Sequence, residues 1–239
     1  MIRFYAPDIA TTGILPESDS QHCIRVLRLT EGDVIHVVDG KGHLYICRIA
    51  GAHSKHTAIE IIDTISEPLP WRQELTVCVA PTKHLDRMEW MVEKLTEIGV
   101  NRIIPLLCKR SERKEIKTER LKKIAVSAMK QSLKTVMPEI WEMTPVSAVI
   151  KDLSASGKFI AYCNDIYPRL SLAREYLPTT SAAILIGPEG DFTDDEVKLA
   201  VDNAWTPVTL GPSRLRTETA AITACDTFHI IDQTYQPSK

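Results

Sequence analysis

The sequence predicts an α/β protein in which a small β-rich domain precedes a larger domain built on a parallel sheet. Residues 1–65 contain short runs of alternating apolar and polar side chains, typical of half-buried strands. From residue 75 onwards, near-continuous apolar runs of strand length alternate with helical periodicity, which indicates a parallel sheet covered on both faces. Pro68 and Pro70 separate the two patterns, because proline disfavours both a helix and a central strand. We therefore expect domains at residues 1–68 and 72–239.

The first domain carries a hairpin signature. Its two strands, Val34–Val38 and Leu44–Ile49, flank the turn Asp39–Gly42. The Asp-Gly pair supplies the positive φ that a tight turn needs. The alternating run Thr57–Ile62 adds a further strand, so the pattern favours a small barrel.

A short helix is predicted before the hairpin, at Asp19–Leu27. It places Ile24 and Leu27 on one face and leaves Arg25 and Arg28 free to point outward. Small barrels of this kind often bind nucleic acid, so both arginines are candidate contacts. An ordinary solvent-facing helix surface is the alternative.

The second domain alternates strands with helices. The predicted strands are Leu75–Ala80, Ile103–Leu107, Phe159–Cys163, Ala182–Ile186 and Val208–Leu210, and the predicted helices are Leu85–Ile98, Glu119–Leu133, a short one near Leu172, one directly after Thr193, and Glu218–Ile231. Gly99 is placed to end the first of these helices. Thr193 and Glu196 have the spacing of a capping box, which marks a helix start.

Composition narrows the function classes. The chain has 239 residues and a net charge of −2, so an RNA contact must use a local basic patch rather than a global field. Its six cysteines show no C-x-x-C spacing and lie mostly in apolar runs, which predicts buried thiols in a reducing compartment. No signal-peptide pattern or membrane-length apolar window is present. These features favour a cytoplasmic enzyme or binding protein.

Two glycine-proline turns follow neighbouring apolar runs. The first glycine loop, residues 187–192, contains Gly187, Pro188 and Gly190, and the second, residues 210–216, contains Gly211. Glycine lets the backbone approach a ligand closely, and Gly190 is expected at positive φ. Each turn alone could be an ordinary strand-to-helix connection. Their pairing with basic, acidic and hydroxyl side chains favours a binding site; these side chains are Arg214, Arg216, Thr217, Glu218 and Thr219.

These segments closely resemble the SPOUT class of methyltransferases, and within it the ribosomal small-subunit methyltransferase E family, which methylates N3 of a uridine in 16S rRNA. The matching segments are Ile186–Gly190, Leu210-Gly211 and Leu215–Ala220. The family usually has a second glycine where Asp191 stands. The segment His22–Asp33 resembles the family's PUA-like N-terminal domain.

The resemblance implies a deep trefoil knot in the C-terminal domain, preceded by a PUA-like β-barrel. It implies S-adenosyl-L-methionine as the cofactor, bound largely through backbone groups of Ile186, Gly187, Pro188, Glu189, Gly190, Leu210, Gly211, Leu215 and Thr219. It also implies 16S rRNA of the small subunit as the partner, a homodimer, and RNA contacts from Arg25, Arg28, Lys83, Arg87 and Arg110. No metal or membrane is expected, since methyl transfer from a sulfonium requires no metal.

Methylation at N3 of uridine sets a chemical requirement. The imide proton must leave before the nitrogen can attack the methyl carbon, so the site needs a base or a positive group that stabilises the anion. Arg216 can supply a charge-assisted contact to a uracil oxygen. Glu218 is the nearest candidate base, although a carboxylate there would also interact favourably with the start of the last helix.

Two other functions remain open from the residues. A SPOUT ribose 2′-O-methyltransferase would use the same cofactor loops. A non-catalytic RNA-binding protein with a knot that has lost its cofactor is the other alternative, and Asp191 and Pro212-Ser213 are the departures from the family pattern that favour it.

Overall fold

The computed structural model describes residues 2–235 and divides the chain into two compact units. Of the described residues, the first unit comprises 2–70 together with 126–137, and the second comprises 71–125 and 138–235. The second unit is therefore interrupted in sequence. The predicted division into contiguous domains at 1–68 and 72–239 stays a prediction.

The first unit contains a four-stranded sheet with short helices. Its strands are β1 (Arg3–Tyr5), β2 (Val34–Val38), β3 (His43–Gly51) and β4 (Ala58–Ser66), and its helices are α1 (Ile9–Thr12), α2 (Glu17–Gln21) and a π-helix (His22–Val26). The sheet order is β1-β2-β3-β4, with β1 parallel to β2 and the other pairs antiparallel.

The predicted hairpin is confirmed by the pairing of β2 with β3. Its turn has Gly40 at φ 78° and Gly42 at φ 101°, and the buried Asp39 carboxylate accepts a hydrogen bond from the Lys41 backbone N–H at 2.7 Å. The predicted helix Asp19–Leu27 is instead split into α2 and the π-helix. The π-helix ends at Val26, and Arg28, two residues further on, has a φ of 57°.

The second unit is built on one parallel sheet. Its strands are β5 (Glu74–Val79), β6 (Arg102–Leu107), β7 (Glu139–Ile140), β8 (Thr144–Pro145), β9 (Gly157–Ala161), β10 (Leu170–Ser171), β11 (Ser181–Ile186) and β12 (Thr206–Thr209). The helices are α3 (Leu85–Ile98), α4 (Thr118–Gln131), α5 (Val146–Asp152), α6 (Leu172–Glu175), α7 (Asp194–Asp202) and α8 (Thr217–Tyr235). The last part of α4 belongs to the first unit.

Strand order explains why the two glycine loops lie together. The sheet runs β10-β12-β9-β11-β5-β6-β7, with β8 paired to β6, and every pairing is parallel. β9 therefore lies between β11 and β12, and the loops that follow all three strands leave the sheet at one edge. The order is consistent with the knot expected from the resemblance, and the α/β class with a parallel sheet is confirmed.

The capping box predicted at Thr193 is present. The Thr193 hydroxyl accepts a hydrogen bond from the Glu196 backbone N–H at 3.4 Å, and the Glu196 carboxylate accepts one from the Thr193 N–H at 2.8 Å. These bonds satisfy two backbone donors that the start of a helix leaves unpaired. They fix the point where the first glycine loop ends and α7 begins.

The prediction of buried thiols is correct for five cysteines and wrong for Cys163. Burial raises the pKa of Cys47 to about 11, which keeps that thiol protonated and unreactive at neutral pH. Cys163 is exposed because it lies two residues beyond β9, in a loop.

We expect Gly99→Ala to lower the free energy of unfolding more than Gly211→Ala does. Both glycines have a φ of 133°, so alanine is equally strained at the two positions. A Cβ at Gly99 would lie 2.5 Å from the Trp71 ring, whereas one at Gly211 meets nothing within 4 Å. Overpacking of this kind costs about 1–3 kcal/mol, so urea unfolding should show that difference between the variants. Equal losses of unfolding free energy in the two variants would mean that the Trp71 ring moves aside without destabilising the fold.

Candidate active site

A cavity of about 1220 Å³ lies at the carboxyl ends of three neighbouring strands of the second unit. Its walls include Ala161–Cys163 after β9, Ile186–Glu189 after β11 and Val208–Glu218 after β12. Ligands of open parallel sheets bind at this edge. The cavity is large enough for a nucleoside-sized cofactor.

The first glycine loop is held from several directions. The Thr217 hydroxyl donates to the Gly187 carbonyl at 3.0 Å, and the Lys83 backbone N–H donates to the Glu189 carboxylate at 2.9 Å. The Arg110 guanidinium donates to the carbonyls of Gly190 and Phe192 at 3.0 and 3.1 Å. These bonds preorganise the backbone that faces the cavity.

The positive φ expected at Gly190 lies one residue later. Asp191 has a φ of 63°, while Gly190 is not among the residues of positive φ. A Cβ at Gly190 would approach the Arg110 Cβ to 3.3 Å, so packing rather than backbone conformation favours glycine there. Gly187 is packed more tightly, since a Cβ there would lie 3.1 Å from the Phe192 ring.

The second glycine loop is more open. Gly211 has a φ of 133°, which L-residues rarely adopt, and a Cβ at this position would meet no atom within 4 Å. The Thr209 hydroxyl donates to the Gly211 carbonyl at 2.9 Å. Glycine is therefore required here by backbone conformation, and the open space leaves the backbone accessible to a ligand.

Arg216 and Glu218 both line the cavity, at the start of α8. Arg216 is exposed, and its carbonyl accepts the Ala220 N–H at 2.8 Å. The Glu218 side chain is only 8% exposed, and its Oε1 lies 3.8 Å from Nε of Arg87. Arg87, predicted as an RNA contact, thus lies beside the candidate base.

Most residues predicted to bind the cofactor line this cavity. They are Ile186, Gly187, Pro188, Glu189, Leu210, Gly211 and Leu215. Gly190 and Thr219 are exposed and are not among the lining residues. The assignments of all nine stay predictions.

The polar groups that line the cavity fit S-adenosyl-L-methionine. Glycine backbone at Gly187 and Gly211 offers amide and carbonyl groups that can recognise adenine without a dedicated side chain. The cofactor carries positive charge at its sulfonium and amino groups, and the carboxylates of Asp165, Glu189 and Glu218 face the same cavity.

The other predicted RNA contacts lie outside the cavity. Lys83 is exposed and forms an ion pair with Glu112 at 3.0 Å, and Arg110 supports the first glycine loop. In the first unit, Arg25 and Arg28 are exposed, with Arg25 3.4 Å from the Ser54 hydroxyl. These roles remain predictions.

Sequence reasoning missed the loop that follows β9. Arg169 donates to the Tyr162 carbonyl at 3.0 Å and to the Asp165 carboxylate at 2.9 Å, and all three residues line the cavity. No glycine marks this loop. Asp191 bonds to this loop, a contact between residues 28 positions apart that no local sequence pattern indicates.

Within residues 2–235, no group of three or more His, Cys, Asp or Glu side chains is arranged to hold a metal ion. None of the described helices has the length and apolar character needed to cross a bilayer.

Comparison with known proteins places the chain in a family. A family model described as an RNA methyltransferase domain matches residues 69–229, and one described as an RNA methyltransferase PUA domain matches residues 15–62. The ribosomal RNA small subunit methyltransferase E of Aquifex aeolicus is 29% identical over 213 residues, covering 87% of this chain and 90% of that protein.

Two solved structures agree with this match. A probable rRNA-methyltransferase from Porphyromonas gingivalis is 42% identical with a TM-score of 0.95, covering 99% of this chain and 100% of its own. The ribosomal RNA small subunit methyltransferase E of Neisseria gonorrhoeae, bound to S-adenosyl methionine, is 26% identical with a TM-score of 0.85. The match covers 97% of this chain and 98% of that chain. The chain therefore belongs to the RNA methyltransferases of the SPOUT class, in the ribosomal RNA small subunit methyltransferase E family.

Proposed function

We propose that this protein transfers the methyl group of S-adenosyl-L-methionine to N3 of a uridine in 16S rRNA of the small ribosomal subunit. The observation that supports this most is the meeting of both glycine loops with Arg216 and Glu218 around one cavity. Relatives that align over most of the chain carry the name of a small-subunit rRNA methyltransferase. The resemblance supplies the uridine N3 specificity.

The cofactor, when bound, supplies an electrophilic methyl group. Arg216 contacts a uracil oxygen and stabilises the negative charge that develops when N3 loses its proton. Glu218, buried at the wall of the cavity, accepts that proton. The glycine loops hold the reactants in position.

The test is nucleoside analysis of small-subunit rRNA from a strain that lacks the gene, with and without the gene restored. We expect 3-methyluridine to disappear and to return on complementation. Loss of a ribose 2′-O-methyl instead would indicate the alternative SPOUT activity. No change, together with no calorimetric binding of S-adenosyl-L-methionine, would indicate a non-catalytic RNA-binding protein.

We also propose that residues 1–68 form the RNA-binding domain and residues 72–239 the methyltransferase domain. The two family models divide the chain at a similar place, at residues 15–62 and 69–229. Because the substrate is ribosomal RNA, the proposed compartment is the cytoplasm.

Replacing Arg25 and Arg28 by glutamine should weaken RNA binding and flatten its salt dependence. Both side chains are exposed, and each lost phosphate contact removes about 0.7–0.9 from the log-log salt slope. Filter binding of small-subunit RNA at several salt concentrations measures the slope. Arg48→Gln is the matched control, because Arg48 is exposed but already paired with Glu60 at 3.2 Å. A slope equal to that of the control would assign both arginines to the solvent-facing surface.

We propose a homodimer, as the resemblance implies. Helix α8 leaves Ile230 53% exposed and Tyr235 62% exposed, and apolar side chains of this size are available for an interface. Light scattering should give twice the chain mass of 26.8 kDa at micromolar concentration. A single 26.8 kDa species would rule the dimer out.

A further inference from the structure

The Asp191 carboxylate connects two walls of the cavity. Its Oδ2 accepts hydrogen bonds from the backbone N–H groups of Cys163 at 2.9 Å and Asn164 at 3.3 Å. Its Oδ1 accepts the Phe192 N–H at 2.9 Å. One carboxylate oxygen thus bonds to the loop after β9, and the other bonds to the first glycine loop.

The backbone at Asp191 is unfavourable for most side chains. Its φ of 63° lies in the left-handed region, which glycine adopts without strain and which aspartate and asparagine tolerate. Because glycine adopts this φ without strain, the turn itself does not require a carboxylate. Its charge-assisted bonds to three N–H groups offset the backbone strain.

The loop that Asp191 reaches is also held by hydrogen bonds within the loop and by the hydrophobic core. The Tyr162 hydroxyl donates to the Tyr167 carbonyl at 2.9 Å, and Arg169 bonds to the Tyr162 carbonyl and to Asp165. Tyr162 is buried in the hydrophobic core and Tyr167 packs against that core, so the loop is anchored at these two residues. The Asp191 hydrogen bonds at Cys163 and Asn164, which we call the tether, fix the stretch between the two anchors against the first glycine loop.

We propose that Asp191 is a positioning residue whose carboxylate sets the separation between the loop after β9 and the first glycine loop, and thereby the affinity for S-adenosyl-L-methionine. This inference rests on the proposed function for the identity of the ligand. The tether itself depends only on the contacts of Asp191 with the two loops. The two claims can therefore be tested separately.

The backbone amides of Cys163 and Asn164 provide a built-in probe, because both N–H groups donate to the Asp191 carboxylate. A bonded amide hydrogen exchanges with solvent only when its hydrogen bond opens, so hydrogen–deuterium exchange at these two positions reports how often the loop detaches from Asp191. Bound cofactor should slow the exchange, because this loop lines the cavity.

Two substitutions distinguish the effect of the Asp191 hydrogen bonds from the effect of the backbone conformation at this residue. Asp191→Gly relieves the backbone strain and removes the carboxylate, whereas Asp191→Asn keeps size and turn preference but replaces an acceptor oxygen with an N–H₂ donor. Asp194→Asn is the matched control: it makes the same charge change three residues on, at an exposed position of α7 outside the cavity.

We expect the amide hydrogens of Cys163 and Asn164 to exchange about tenfold faster in Asp191→Gly, and this variant to bind S-adenosyl-L-methionine about tenfold more weakly by calorimetry, as for loss of a charge-assisted hydrogen bond. Asp191→Asn keeps one acceptor oxygen and should show smaller changes in both measurements. The thermal midpoints of both Asp191 variants should stay within about 4 °C of wild type, and Asp194→Asn should match wild type in every assay. Unchanged exchange at Cys163 and Asn164 in Asp191→Gly would overturn the tether. Faster exchange with unchanged affinity would overturn its role in cofactor binding. Absence of binding by the wild-type protein would instead contradict the proposed function.

Discussion

Arg216→Ala is expected to slow methyl transfer by about a hundredfold or more while leaving the fold and most of the cofactor affinity intact. Removing one donor that stabilises a developing anion typically costs about 10²–10³ in rate, or roughly 3 kcal/mol of barrier. Cofactor affinity should persist because it rests on backbone groups of the glycine loops. The measurement is single-turnover methylation of small subunits at saturating cofactor, with calorimetry for each variant.

The structure explains why the fold should survive this change. The Arg216 side chain is exposed, and the residue supports α8 through its carbonyl, which accepts the Ala220 N–H at 2.8 Å. Alanine retains that carbonyl. The expected loss of methyl-transfer rate therefore comes from removal of the guanidinium and not from a change at the start of α8.

Lysine at position 216 should restore the rate only in part, since it keeps the charge but loses the planar fork of the guanidinium. Arg214→Ala is the comparison, because Arg214 is an exposed arginine of the same loop and also lines the cavity. Equal losses of methyl-transfer rate in the two alanine variants would indicate that the arginines act through their shared positive charge and not through a specific contact of Arg216. Near-normal turnover of Arg216→Ala would remove Arg216 from the mechanism, and lost cofactor binding in a folded variant would reassign it to the cofactor pocket.

Local signals in the sequence predicted much of this molecule. Helix α3 was predicted with its observed bounds because its apolar period is regular and Gly99 ends it. The capping box fixed the start of α7, and the Asp-Gly turn predicted the β2-β3 hairpin. Each of these signals acts within one turn of helix or between adjacent strands, so it can be read without knowing the tertiary structure.

Features that depend on long-range contacts were not predictable. The π-helix His22–Val26 and the left-handed Arg28 have no distinctive residue pattern. The placement of Arg87 beside Glu218 follows from how α3 and α8 pack. The left-handed residue of the first glycine loop is Asp191 rather than Gly190, because the carboxylate finds partners in another loop. Propensity alone favours glycine at such a position.

Glu218→Gln should lower the single-turnover rate at neutral pH by about a hundredfold, within the range for loss of a general base. The side chain is 8% exposed at the cavity wall, so glutamine preserves its size and its buried position while removing the basic oxygen. The alternative is that Glu218 only interacts with the positive end of α8. That interaction contributes about 0.3–1 kcal/mol of stability and would leave the rate nearly unchanged.

The pH dependence of the rate distinguishes these roles. As pH rises, the uracil imide loses its proton to water without a protein base, so the deficit of Glu218→Gln should shrink towards alkaline pH. A structural defect would give a constant ratio to wild type. Arg87→Gln is the matched control, because it removes the partner 3.8 Å from Glu218 and leaves the carboxylate in place. Its deficit should be smaller than that of Glu218→Gln and independent of pH. If Glu218→Gln turned over normally at neutral pH, another group would have to take the proton, and Glu218 would serve only the start of α8.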